Sequence, residues 1–210
     1  MGTARLIEQT VFMTSYELTI SGRFRTTAVI THSSQIVVGW IDDVFNSHAP
    51  LAGANRRVSV GLHVECSPPY DSIALIQLCV GNSCLVYQLL HRIERNPPCL
   101  LRLNDFLTDD RFYFIGANVE LTIFRLRLWN CFRVRSAVDL GDAAARRLQR
   151  EDLQSAGLDQ LAREVLGIEI IRLDGAQRMA LFNRALPLEL VAHVCLDAII
   201  SYEIGRTLLI

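Results

Sequence analysis

The sequence predicts a mixed α/β domain, a sheet flanked by helices. Three observations carry that reading: β-rich runs joined by short turns come first, helical and strand-like runs alternate afterwards, and the chain closes on a long apolar helical stretch. At 210 residues one core suffices, and nothing in the composition demands a second.

Taken in order, Tyr16 to Ile20 and Phe24 to Thr31 are β-branched and aromatic runs separated by Ser21-Gly22, which predicts a hairpin. Ser33 or Ser34 can cap a helix through Ile36, Val37, Trp40, Ile41 and Val44. Residues 46–57 read as a connection, giving an N-terminal extension over 1–50 and a main domain over 51–210. Val58, Val60, Leu62 and Val64 alternate strictly with Ser59, Gly61, His63 and Glu65, which predicts a strand with two distinct faces. Ile73 to Val80 and Cys84 to Leu89, joined at Gly81-Asn82-Ser83, complete an antiparallel meander. After Pro97-Pro98 the pattern predicts a helix through Leu101, Leu103 and Leu107, a strand at Phe112 to Ile115, a helix from Val119 to Trp129 and a strand from Val134 to Leu140. Helices at Ala143 to Gln149, Leu158 to Leu166 and about Leu188 to Leu209 finish the chain.

Half of the residues are hydrophobic, a rich supply that suggests burial against a second subunit and hence a homo-oligomer. The net charge of -1 excludes a global field that would draw the protein onto nucleic acid, so any such contact must be local. All 21 basic residues are arginine. The six cysteines form no CxxC pair, and the spacing around His63, Cys66, Cys79 and Cys84 lacks zinc-ribbon regularity, so reduced buried thiols are expected. No run reaches membrane-spanning length and no secretory leader is legible, which points to cytosol or nucleus. His32, His48 and His91 read as surface or capping residues. Arg125, Arg127, Arg133 and Arg135, with Trp129 and Phe132 between them, could offer phosphate contacts and a stacking surface, Arg125 and Arg133 foremost, although a solvated helix end explains them as well. Arg146, Arg147 and Arg150 fit ordinary surface ion pairs.

Six blocks occur in order: VSVGLHVECSP at 58–68, IALIQLCVGNSCLVYQLLH at 73–91, FLTDDRFYFIGANVE at 106–120, AVDLGDAA at 137–144, LQSAGLDQLAREVLGIEI at 153–170 and HVCLDAIISYEIGRTLL at 193–209. Together they resemble the plant Werner-syndrome-type 3′-to-5′ exonucleases. The resemblance implies the ribonuclease H-like (DnaQ-like) fold and a centre in which four carboxylates and a tyrosine hold two divalent ions, Mg²⁺ or Mn²⁺, roughly 4 Å apart around the terminal phosphodiester.

On that pattern the Asp-x-Glu motif reads His63-Val64-Glu65, so Glu65 is retained and His63 replaces the bridging aspartate. The second aspartate position is Thr122, in Glu120-Leu121-Thr122, and Gly116-Ala117-Asn118 stands before it. The Tyr-x-x-x-Asp motif reads His193 to Asp197, so Asp197 is retained and His193 replaces the tyrosine. Sister exonucleases place a histidine base five residues before the aspartate, whereas His193 stands four before. A Trp-Asp pair expected ahead of the last helix is Leu181-Phe182. Metal ligation thus falls to Glu65 and Asp197, with His63 as a third candidate, and weak or absent metal binding is expected. The histidines should pair with the leftover carboxylates and titrate above about 6.5. Two functions from different classes follow: an impaired exonuclease acting through single-stranded nucleic acid or assembly, or an active metal-dependent exonuclease on RNA or DNA with a site completed by another metal or subunit. A purely structural partner is a third.

Overall fold

The computed structural model describes residues 2–49, 57–68, 72–92, 98–130 and 132–209. Eight strands form one mixed sheet: β1 (Gly2–Gln9), β2 (Met13–Ile20), β3 (Phe24–Thr31), β4 (Val58–Ser67), β5 (Ser72–Val80), β6 (Ser83–Gln88), β7 (Phe112–Gly116) and β8 (Ala137–Asp139), in the order β1-β2-β3-β6-β5-β4-β7-β8. The antiparallel meander β4-β5-β6 is as the alternation predicts, and β7 and β8 add parallel to β4. β3 pairs in parallel with β6, so the N-terminal strands extend the same sheet. The connection expected at 46–57 lies largely outside the described residues.

The helices are α1 (Ser34–Ser47), α2 (Cys99–Thr108), α3 (Val119–Asn130), α4 (Leu140–Leu148), α5 (Leu158–Leu161, running into a π-helical turn at Ala162–Leu166), α6 (Gly175–Ala180) and α7 (Leu188–Leu208). Period-2 geometry sends the two faces of each central strand into different cores. Val60, Leu62 and Val64 of β4 meet Ile41 of α1 and Phe106 of α2, with Phe106, Phe112 and Phe114 stacked edge to face. On the opposite face Leu75, Cys79, Cys84 and Val86 meet α4, α5 and α7. Here β4 presents Gly61, and a Cβ at that position would overlap the carbonyl of Ala198. Glycine at 61 therefore lets α7 lie directly on β4 and sets Asp197, the neighbour of Ala198, over the strand's polar positions.

The strand expected at Val134 to Leu140 is confined to Ala137–Asp139, because Asp139 starts helices instead of continuing a ladder. One carboxylate oxygen accepts from Gly141 N at the start of α4 (2.8 Å) and the other from Val119 N at the start of α3 (2.9 Å). These two bonds satisfy amide donors no intrahelical carbonyl can reach. α4 accordingly begins three residues before the expected Ala143. Two elements lay outside the sequence reading, β1 and α6. At α1, Ser33 does occupy the N-cap position, but its side chain makes no capping bond.

Candidate functional site

β4, β5, α7 and the segment through α6 enclose an open cavity of about 330 Å³. Its floor comes from strand register: His63 and Gln77 are direct partners across β4 and β5 and point to the α7 side, with Glu65 two residues on. α7 supplies Asp197 from above. The His63, Glu65 and Asp197 ligand atoms all lie within 4.8 Å of one another, so the sequence-predicted trio does converge. His63 Nε2 stands 3.5 Å from Glu65 Oε1 and 3.4 Å from Asp197 Oδ2.

The two carboxylates are also engaged by arginines that sequence reading left unassigned. Arg178 of α6 donates to Glu65 Oε2 at 2.9 Å. Arg172, in the stretch before α6, donates to Asp197 Oδ1 at 2.6 Å and to Asp159 at 2.7 Å. α6 owes its position to a capping box in which Asp174 accepts from Gln177 N and Gln177 accepts from Asp174 N. The Asp174-x-x-Gln177 spacing was the available signal for this helix. Burial pushes the Glu65 carboxyl up, but His63 and Arg178 outweigh it and the net position is about 2, so Glu65 is ionised across the physiological range.

Other expected residues are placed differently. His193 lines the same cavity but, among the described residues, pairs with no carboxylate; burial, with Arg172 nearby, lowers its pKa, contrary to the expected rise. Thr122 is buried on α3 and is not among the residues lining the cavity. Arg125 is partly buried on α3 and Arg133 is exposed, both away from the cavity. Arg150 pairs with Asp152 and Glu164 as a surface residue should. His48 Nδ1 donates to Val44 O at 2.8 Å at the α1 end, as a capping residue does. His32 departs from its reading: it is buried, 5% exposed, against Arg184. Gln77 was not singled out from sequence, yet it lines this cavity and its buried Oε1 has no hydrogen-bond partner among the described residues. Cys79, Cys84, Cys99 and Cys195 are buried and form no disulfide among the described residues. No helix among the described residues is long and apolar enough to cross a membrane.

No protein-family model and no curated protein matches the chain. Among solved structures it is similar to Escherichia coli RNase D, an exoribonuclease involved in structured RNA processing, with 16% identity over 86% of this chain and 44% of that one, at a TM-score of 0.66. The chain thus spans under half of RNase D. It is also similar to Brucella melitensis NrnC, with 16% identity over 72% of each chain and a TM-score of 0.57. The EXD2 exonuclease domain soaked in Mn aligns at 21% identity over 87% of this chain and 89% of that one, at a TM-score of 0.49. At such identities the likeness is one of architecture: the chain has the ribonuclease H-like fold of the DnaQ-like exonuclease domains.

Proposed function

We propose that this protein is a catalytically impaired 3′-to-5′ exonuclease of the plant Werner-syndrome type, which acts by binding single-stranded nucleic acid. The observation that carries the reading is that both retained carboxylates are held by arginines of the chain itself, Glu65 by Arg178 and Asp197 by Arg172, with His63 between them. A pair of Mg²⁺ ions needs several anionic oxygens, and here the two that remain already have cationic partners. Thr122 contributes no charge. Positioning and charge neutralisation supply most of the acceleration in this chemistry, so Mg²⁺-supported cleavage should fall by several orders of magnitude below that of an intact relative. The test is a binding and degradation assay on end-labelled single-stranded RNA and DNA. Retention of the strand without shortening is expected; rapid Mg²⁺-dependent loss of 3′ nucleotides, abolished by Glu65→Gln, would overturn the reading.

A second reading is favoured by the His63, Glu65 and Asp197 trio, whose ligand atoms lie within 4.8 Å of one another, and by Gln77, which lines the same cavity with an Oε1 that has no hydrogen-bond partner among the described residues. One imidazole, two carboxylates and an amide oxygen suit a single borderline ion, Mn²⁺ or Zn²⁺, better than Mg²⁺. Such an ion would supply an activated water and a Lewis acid. Arg178 and Arg172 hold Glu65 Oε2 and Asp197 Oδ1, whereas Glu65 Oε1 and Asp197 Oδ2 face His63, so an ion would take these last two oxygens in competition with the arginine charges. Calorimetric titration with each metal separates the readings: one saturable site lost in both His63→Ala and Asp197→Ala supports the metal, and no heat supports the arginine-filled site.

For assembly, we propose a homo-oligomer that uses the outer face of α3. Leu121, Phe124 and Leu128 stand at i, i+3 and i+7 and are 49%, 60% and 60% exposed. A monomeric mass by light scattering over a wide concentration range would count against it.

A further inference from the structure

On the same face of the sheet as the His63 cavity, a second cleft of about 290 Å³ opens between the β1-β2 turn and the segment that leads into α7. Phe12, Tyr16, His32, Gln88, Arg184 and Leu186 define it. The two cavities differ in charge. The first contains acids and bases paired with one another, whereas no Asp or Glu lines the second, and among the described residues Arg184 has no carboxylate within ion-pair distance.

Arg184 is instead held by a neutral group. Its Nη2 lies 3.0 Å from His32 Nε2. A guanidinium has only donors, so His32 Nε2 accepts and the imidazole carries its proton on Nδ1. Burial and the Arg184 charge lower the His32 pKa in keeping with that neutral form. A neutral acceptor fixes the guanidinium without cancelling its charge, which leaves a positioned cation facing the cleft.

The aromatic wall is fixed as well. Thr10 Oγ1 accepts from Phe12 N (3.2 Å) and Met13 N (3.1 Å), and Thr31 Oγ1 donates to Phe12 O (2.7 Å), tying the turn to β3. The turn therefore presents Phe12, 52% exposed, from a rigid base and close to the His32 ring. On the other side Gln88, itself buried, donates to the carbonyls of Asn183 (3.1 Å) and Arg184 (3.2 Å) and fixes the backbone that carries the guanidinium. Leaving a large aromatic in water on a braced turn beside an uncompensated cation is what a stacking and phosphate-contacting site requires.

We infer that this cleft is a second binding site for one nucleotide unit, with Phe12 stacking on the base and Arg184 contacting the phosphate, whether the unit is a free mononucleotide or part of a single strand. The volume sits at the lower end for small-ligand sites and admits one such unit. That the flat ring is a nucleobase rests on the nucleic-acid reading proposed above; the cation and the exposed aromatic do not.

Calorimetric titration of the full chain with AMP, adenosine, inorganic phosphate and a hexa-adenylate tests the site. AMP should saturate one site, with adenosine and phosphate each at least tenfold weaker. Arg184→Gln and Phe12→Ser, both at exposed side chains, should each weaken AMP at least tenfold while Arg206→Gln, at an exposed arginine of α7 that lines neither cavity, leaves it unchanged, with circular dichroism confirming that all three fold. No saturable AMP heat, or equal AMP affinity in Arg184→Gln and the parent, overturns the site. Hexa-adenylate binding that survives with AMP silent removes this inference and leaves the nucleic-acid reading standing. AMP binding that depends on Arg184, without any strand binding, supports the site and removes that reading. A hexamer weakened by Arg184→Gln assigns the site to strands, and one unaffected by it assigns the site to free nucleotide.

Discussion

The two faces of one sheet obey different rules. Facing α1 and α2, β4, β5 and β6 place Val60, Leu62, Val64, Ile76, Leu78, Leu85 and Tyr87, and the aromatic cluster around Phe106 closes over them. Facing α7, the same three strands place His63, Glu65, Gln77 and Gln88, the last three of them buried. Burying an apolar side chain requires only that neighbours fill space, whereas burying a polar one requires a partner of matching chemistry. The first face is therefore accounted for by packing. On the second, each polar side chain raises the question of its partner: Asp197 answers for His63, Arg178 for Glu65 and the Asn183 and Arg184 carbonyls for Gln88, while Gln77 Oε1 has none among the described residues.

The largest expected effect breaks the packing face alone. Phe106 is fully buried among Trp40, Phe45, Phe112 and Phe114. Phe106→Ala should cost about 3–5 kcal/mol through lost transfer energy and the cavity left behind. Thermal and urea denaturation read this directly. Any ligand bound in the polar cavity should retain its affinity below the midpoint, because that cavity draws no residue from the aromatic cluster. A comparable loss of ligand affinity in the folded variant would mean that the two faces are coupled through the sheet.

A smaller effect comes from the polar face and is visible in its pH dependence. Glu65 titrates near about 2 in the folded chain against an ordinary 4.5. Between those values the unfolded chain binds more protons, so stability rises with pH through this window; it is fully present above 4.5 and is lost as pH falls toward 2. The shift corresponds to something on the order of 3 kcal/mol. His193 acts in the same direction: its lowered pKa gives stability that is present above 6.5 and begins to be lost as pH falls below it. Urea denaturation from pH 7 to pH 2.5 should therefore show an acid limb that Glu65→Gln flattens. An unchanged limb in that variant would show that Arg178 and His63 do not stabilise the ionised carboxylate.

How much of this was legible in the sequence follows the same division. The alternation at 58–65 identified both faces of β4, and the Gly81 turn, with φ of 60°, set the β5-β6 hairpin. Both are local signals. β1 escaped because GTARLIEQ is an edge strand exposed along most of its length, with a bulge after Leu6 that interrupts its alternation. The parallel pairing of β3 with β6 spans more than fifty residues and leaves no local trace. At the site, His63, Glu65 and Asp197 could be named from motif resemblance. Arg172, Arg178 and Gln77 could not, since their roles arise only when register and the α6 capping box bring remote segments to the same carboxylates. His193 departs from the expected pairing for a related reason. The helix sets it one turn from Asp197, but among the described residues no carboxylate of another element meets it there.

The smallest expected effect asks whether the polar face is complete. Gln77 is 2% exposed, and its Oε1 meets no donor among the described residues although its strand partner is His63. A buried acceptor without a donor carries a desolvation penalty of about 1–3 kcal/mol, while replacing it with an apolar group of similar shape is nearly neutral or stabilising. Methionine matches glutamine in length and flexibility and has no strong polar atom. If Oε1 is unpartnered in solution, Gln77→Met should leave the urea midpoint unchanged or raise stability by up to about 1 kcal/mol. If an ion or an ordered water occupies that corner of the cavity, the substitution removes one of its ligands and should destabilise by a similar amount, and in the case of an ion it should also weaken Zn²⁺ or Mn²⁺ binding. Measuring the variant with and without chelator distinguishes the cases: a loss of stability seen only without chelator belongs to a metal, a loss seen in both belongs to water, and a gain in both belongs to an orphaned oxygen that the fold tolerates beside its charged neighbours.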